Sequence, residues 1–214
     1  DEVIKKSLER AILSPNSSNM QLWEFYWIKN EEERKKYEAL CLGQSAAKTA
    51  KQIVVFVTRQ DLWSKRAKWN YEQLKSNIQG TPTKLEKRGL NYYSKLMPLA
   101  YRNDIFGFFS LLRRSISFFM GISKPFMRFG GKADQRITVH KSCALAAQTF
   151  MLSIAAEGYE SCPMEGFDSK RVKKALQLPA GAEINMIIAV GKATKEGIWG
   201  PRLRVPYEEV VFEK

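Results

Sequence analysis

At 214 residues, 44% hydrophobic and 27% charged, the chain is long enough for a buried core, and its polar balance excludes wholesale disorder. The net charge of +13, from 35 Lys and Arg against 22 Asp and Glu, fits either a nucleic-acid or membrane-surface footprint or solvated faces with some cations aimed at a small ligand's phosphate. Three cysteines, an odd set, fit free thiols in a reducing, cytoplasmic compartment better than a disulfide framework.

The basic residues are spread over Lys5–Lys6, Arg34–Lys36, Lys48–Lys51, Lys65–Lys68, Lys84–Arg88, Arg113–Arg114 and Lys170–Lys174. No tract interleaves them with aromatics as an RNA-binding motif would, so the charge reads as mostly surface. The chain opens on Asp1-Glu2 and passes straight into a helical pattern, without the features of a signal peptide.

In chain order, Asp1 caps a first helix on which Ile4, Leu8, Ala11 and Ile12 share a face, and Pro15 ends it. The following loop, Ser14 to Gln21, is dense in short side chains that bond backbone or ligand. Trp23 to Ile28 reads as an aromatic strand. Asn30 with Glu33 starts a helix running to about Leu42. Ile53 to Val57 is a continuous apolar run, predicting a central strand buried on both faces. Gln60 to Gln79 reads as a charged helix broken by Gly80-Thr81-Pro82.

The stretch from about Asn91 to Arg136 carries two apolar runs, Ile105–Leu112 and Ile116–Met120, with Arg113 and Arg114 between them. Neither run approaches the roughly 20 residues of a bilayer span. An interfacial amphipathic helix is one reading; an aromatic cover over a site or a partner subunit is the preferred one.

From Ser142 to Ala156 nearly every side chain is apolar or small, which predicts a helix in a core or a subunit interface. Gly158 is a natural C′ stop. Beyond it, Pro163 stiffens the backbone and Gly166 lets the main chain approach a flat ligand, so 163–166 reads as a rigid loop with free amides. A plain helix–loop–helix connection fits the same residues. Asp168 caps a short helix with Val172, Ala175 and Leu176 inward, stopped by Leu178-Pro179. Asn185–Gly191 reads as a second two-sided strand, and Glu208–Phe212 as a strand-like tail. Strands and helices joined by crossovers too long for hairpins predict an α/β or α+β sheet flanked by helices.

Taken together, Pro15-Asn16-Ser17-Ser18-Asn19-Met20-Gln21-Leu22-Trp23 before an aromatic strand, an apolar helix leading into Cys162-Pro163-Met164-Glu165-Gly166-Phe167-Asp168, and Arg202-Leu203-Arg204-Val205-Pro206 near the end resemble the FMN-dependent nitroreductase family. The resemblance covers nearly the whole chain outside residues 60–136. It implies an α+β fold with a central mixed sheet, a single domain over residues 1–214, and a helical insertion at about 60–136 that covers the site. It also implies a homodimer with FMN at the subunit interface.

Residue by residue, the resemblance gives the backbone amides of Glu165 and Gly166 to the flavin N5/O4 edge, and packs Pro163 and Met164 on a ring face. It extends Pro15, Asn16, Ser17 and Asn19 to the partner's flavin, aims Arg202 and Arg204 at the phosphate, and sets Gln44 and Ser142 at the pyrimidine end. Ser18, Phe118 and Phe126 become substrate or lid residues among aromatics running from Phe106 to Phe129. An Arg-x-Ser-x-Arg phosphate stretch lies earlier in family members than the point at which this chain opens, and Leu22 stands where proline is common.

The implied activity is hydride transfer from NADH or NADPH to an electron-poor acceptor such as a nitroaromatic or quinone, the two taking turns on the flavin. No acid–base dyad is needed, because the flavin carries the hydride. No metal site, nucleic-acid role or stable membrane insertion is expected. Competing readings are a specialised flavin reaction such as reductive dehalogenation, or a non-enzymatic basic protein that binds membrane or RNA. In this reading Glu165 acts through its N–H alone, His140 is a surface or capping residue just before the central helix, and Cys162 is a packed structural cysteine. For Arg202 and Arg204 the alternative is pairing with Glu208 or Glu209.

Overall fold

The computed structural model describes residues 1–128, 130–197 and 200–214; of the aromatics singled out above, Phe129 lies outside them. Four strands, β1 (Trp23–Ile28), β2 (Gln52–Arg59), β3 (Glu160–Met164) and β4 (Ala182–Gly191), form one sheet in the order β1-β2-β4-β3. Every neighbouring pair is antiparallel, with Phe25 beside Phe56, Val54 beside Ile188 and Cys162 beside Ala189. The α+β fold is therefore as expected, but the described sheet is antiparallel rather than mixed. Crossover length could not decide this: a tight hairpin forces antiparallel pairing, whereas a long connection permits either direction.

The alternation of β2 divides the core in two. Val54 and Phe56 face α1 (Glu2–Ile12) and α8 (Lys132–Ala156), packing with Ile4, Ala11, Cys143, Ala147, Phe150 and Ile154. Ile53, Val55 and Val57 face the opposite layer of α2 (Glu31–Leu40), α3 (Ser45–Thr49) and α9 (Ser169–Ala175), where Tyr37, Ala47, Met164, Val172 and Ile187 are buried. A third cluster joins Met20 and Leu22 to α4 (Trp63–Ser76), α6 (Met97–Tyr101) and Val139 of α8. That cluster anchors the segment between α1 and β1.

Local chemistry explains the helix ends. Asn30 Oδ1 accepts the Glu33 amide at 3.1 Å, and Asp168 Oδ1 accepts the Arg171 amide at 3.0 Å. Helix α8 begins ten residues earlier than the apolar run suggested, because the Asp134 carboxylate takes the Gly130 and Gly131 amides (3.2 and 2.8 Å) and caps it there. His140 therefore lies inside the helix, not before it. The far end closes in a Schellman motif: the Gly158 amide donates to Ala155 O and the Tyr159 amide to Ile154 O, with Gly158 at φ 77°. One flank of α8 is open, leaving Leu145 and Leu152 exposed.

Between β2 and α8 lie α4, α5 (Lys84–Asn91), a π-helical turn (Tyr92–Leu96), α6 and α7 (Phe108–Ser123). From Phe108 onward, the two apolar runs around Arg113 and Arg114 form the single helix α7. Arg113 is accommodated because its guanidinium folds back onto Gly130 O (3.0 Å), Arg102 O (2.6 Å) and Asn103 Oδ1 (2.9 Å). The expected terminal strand is absent. Tyr207–Glu209 forms one 3-10 turn, and every described residue from 192 to 214 is exposed, with no strand beside it to pair among the described residues.

Candidate active site

Two backbone segments carry most of the expected residues. The first follows α1. Ser17–Asn19 forms a 3-10 turn, the Asn16 side chain accepts the Gln21 amide at 2.8 Å, and the Ser17 amide donates to Ser142 Oγ on α8 at 3.2 Å. The chain is bent sharply here, with Ser18, Asn19 and Gln21 all at positive φ. Ser142 is itself fixed by donating to Thr138 O.

The second segment leaves β3. Strand pairing runs through Met164, so Pro163 belongs to an edge strand rather than a loop; an edge position tolerates its missing N–H. The Met164 side chain is 1% exposed in the core, which leaves Pro163 as the exposed side chain of the pair. Beyond Met164, the Phe167 amide donates to Glu165 O and the Asp168 amide to Leu40 O (2.8 Å). The Gln44 amide Nε2 donates to Gly166 O at 2.6 Å and to Cys41 O at 3.1 Å. By contrast, the Glu165 and Gly166 N–H groups donate to no protein acceptor among the described residues. A Cβ on Gly166 would lie 3.0 Å from Gln44 Nε2, a contact tight enough that the Gln44 side chain would have to give by a few tenths of an ångström.

Beside Glu165 opens a cavity of about 560 Å³ whose walls include Phe167, Arg136, His140, Asn185 and Met186, a size suited to a cofactor-sized molecule. Arg136 Nε donates to Glu183 at 2.6 Å, and His140 Nε2 lies 3.4 Å from the same carboxylate. Burial pushes the Glu183 carboxyl up, but the Arg136 hydrogen bond and the charges of Arg136 and His140 outweigh it and hold the group below its ordinary value. Asn185 Nδ2 donates to His140 O at 3.1 Å, while its buried Oδ1 has no partner among the described residues. The sequence reading missed this wall. Its trace was the i,i+4 pair Arg136 and His140 opposite the i,i+2 pair Glu183 and Asn185.

The remaining expected residues are dispersed. Arg202 and Arg204 lie on the exposed tail; Arg204 Nη1 donates to Leu203 O, and neither guanidinium bonds to the 163–166 segment or pairs with Glu208 or Glu209 among the described residues. Pro15 and Asn19 are exposed and Ser18 half-buried. Phe118 and Phe126 are exposed at α7 and after it. Cys162 is exposed, against the expectation of a packed thiol, because it lies on the edge strand. No cluster of metal-ligating side chains occurs among the described residues, and no described helix is long and apolar enough to cross a membrane.

Residues 1–192 match the model of the nitroreductase family. The chain belongs to that family. It is 28% identical over 193 residues to Protein DrgA of Synechocystis, covering 90% of this chain and 73% of the relative. It is 25% identical to an NADH dehydrogenase of Thermus thermophilus, covering 98% and 84%. Among solved structures, a nitroreductase family protein of Streptococcus pneumoniae superposes with TM-score 0.68 at 18% identity, over all of this chain and 89% of the other. An Exiguobacterium sibiricum protein solved in complex with FMN superposes with TM-score 0.66 at 19% identity, over 100% and 87%.

Nitroreductases are FMN-dependent oxidoreductases, and this chain is one by membership. Its residues fit that cofactor in one respect: two successive uncommitted amides follow β3, where Glu165 also borders the open groove.

Proposed function

We propose that this nitroreductase takes hydride from NADH or NADPH and delivers it to an electron-poor acceptor such as a nitroaromatic or quinone, the two substrates alternating at one FMN. The observation that carries this reading is the pair of uncommitted amides at Glu165 and Gly166. FMN, when bound, supplies the hydride chemistry at its N5. The protein's own residues then bind, orient and stabilise. Fixed N–H dipoles at 165 and 166 favour negative charge at the ring edge, and they need no reorganisation because the Gln44 bond already holds the adjacent carbonyl. The Ser17 amide, bonded to Ser142, holds the 17–21 loop against α8. Arg202 and Arg204, one residue apart, suit the two-handed grip of a phosphate once the tail is docked.

Docking of the tail is supported by its exposure. Leu203, Val205, Tyr207, Val210 and Phe212 stand in solvent, as do Leu145 and Leu152 on α8 and Phe118 and Phe119 on α7. Apolar surface on that scale marks an interaction site, and a homodimer that buries it would bring Pro15, Asn16 and Asn19 of one protomer towards its partner's flavin. The chain then acts as a single domain whose residues 60–136 cover the site.

The test is an anaerobic titration of FMN into the apoprotein, followed by NADH and then a nitroaromatic. Saturable FMN uptake, bleaching of its visible band by NADH, and recovery of the band on adding the acceptor are expected. A protein that takes up no FMN would overturn the proposal.

A further inference from the structure

We propose that Tyr92 and Tyr93 are positioning residues for cofactor binding, clamping the 17–21 loop from the π-helical turn Tyr92–Leu96; this rests on the reading of that loop as an FMN contact. Ser18 and Asn19 are consecutive L residues at φ 56° and 50°. Such conformations persist only where the surroundings over-determine them.

The surroundings here are specific. Tyr92 Oη and Ser18 Oγ lie 2.6 Å apart, and Tyr93 Oη donates to Ser18 O at 3.0 Å. Asn70 of α4, only 4% exposed, donates to Asn19 O at 2.9 Å, while Asn19 Nδ2 reaches Asn70 Oδ1 at 3.3 Å. Adjacent side chains on an α-helix diverge widely. Here the two tyrosines at the start of the π-helical turn reach different atoms of one serine, its hydroxyl and its carbonyl. Their rings pack edge to face at 5.3 Å and rest on the cluster containing Met20 and Leu22. The rings hold the loop in place, and the hydroxyls fix the direction of its polar atoms. Deleting a hydroxyl therefore separates positioning from packing.

The test compares Y92F, Y93F, S18A and Y92F/S18A with wild type. The readouts are the FMN dissociation constant from flavin fluorescence quenching, the melting temperature of the apoprotein and the midpoint potential of the bound flavin. Each Tyr→Phe change is expected to weaken FMN binding several-fold, because a loop loosened in the apoprotein must be re-ordered on binding, and to shift the potential, with apoprotein melting lowered by no more than the worth of one net hydrogen bond. Y92F/S18A should bind no more weakly than S18A, because both remove one shared bond. Y92F and Y93F proteins that bind FMN as tightly as wild type, or that lose affinity only in step with a fall in apoprotein melting, would overturn the inference and leave the flavin reading intact. Wild-type protein that takes up no FMN would overturn both.

Discussion

Gln44 and Gly166, 122 residues apart in sequence, meet through a 2.6 Å hydrogen bond from the glutamine Nε2 to the glycine carbonyl. The bond ties the start of α3 to the backbone leaving β3 and occupies the Gly166 carbonyl, while the Glu165 and Gly166 amides stay uncommitted among the described residues. In the peptide joining Glu165 to Gly166 the carbonyl is taken by the Phe167 amide and the N–H is left for a ligand.

Replacing Gly166 with alanine inserts a Cβ 3.0 Å from Gln44 Nε2. The Gln44 side chain or the loop must give by a few tenths of an ångström, and a shift of the loop turns the amides away. G166A is expected to weaken FMN binding by about tenfold or more, the cost of one or more well-placed donors, with little change in apoprotein melting. Flavin fluorescence titration measures the first and a thermal melt the second.

Gln44→Leu keeps the volume but removes both donations, to Gly166 O and to Cys41 O. A loss of about 1 kcal/mol of stability per bond is expected, read as a lower urea midpoint. In the double variant Q44L/G166A the effects on FMN affinity should fall short of additive, since both act through one contact.

These two residues show how much of the site was legible in the chain. The Pro-Met-Glu-Gly run and the Ser-Pro-Asn-Ser-Ser-Asn run could be located because the constraints are local: a proline, a glycine and short polar side chains leave a sequence trace. Gln44 could be tied to them only by resemblance, as its partner is more than half of the chain away. Strand direction was hidden because crossover length does not encode it. The true start of α8 was hidden because the cap is the carboxylate of Asp134 reaching back to two glycines, ahead of any apolar periodicity. The terminal strand failed because β propensity in Val210, Val211 and Phe212 has nothing within the described chain to pair with.

Thiol chemistry gives a direct check on the layering. Burial pushes Cys41 up to about 11 and Cys143 up to about 12, both inside the core, whereas Cys162 is exposed on the edge strand. Native protein treated briefly with iodoacetamide at neutral pH should carry one adduct, on Cys162, and denatured protein three. Peptide mass spectrometry reads the positions; fast labelling of Cys143 in native protein would contradict the packing of α8 on the sheet.

Glu183 makes stability depend on acid. Its folded-state pKa is depressed, burial being outweighed by Arg136 and His140, so its contribution is present above the ordinary carboxylate range and is lost as pH falls through the folded value. Between about pH 6 and pH 3.5, either side of an ordinary glutamate, the wild-type urea midpoint should fall more than that of E183Q. Equal falls would remove Glu183 from the account.

The most direct test of the central claim is to follow the Glu165 and Gly166 amide resonances in a ¹⁵N-labelled sample while FMN is added. Both cross-peaks should move downfield together and saturate with the flavin, as hydrogen-bonded amides do. Two resonances that stay still while FMN binds would contradict the account, because the flavin would then lie elsewhere on the molecule.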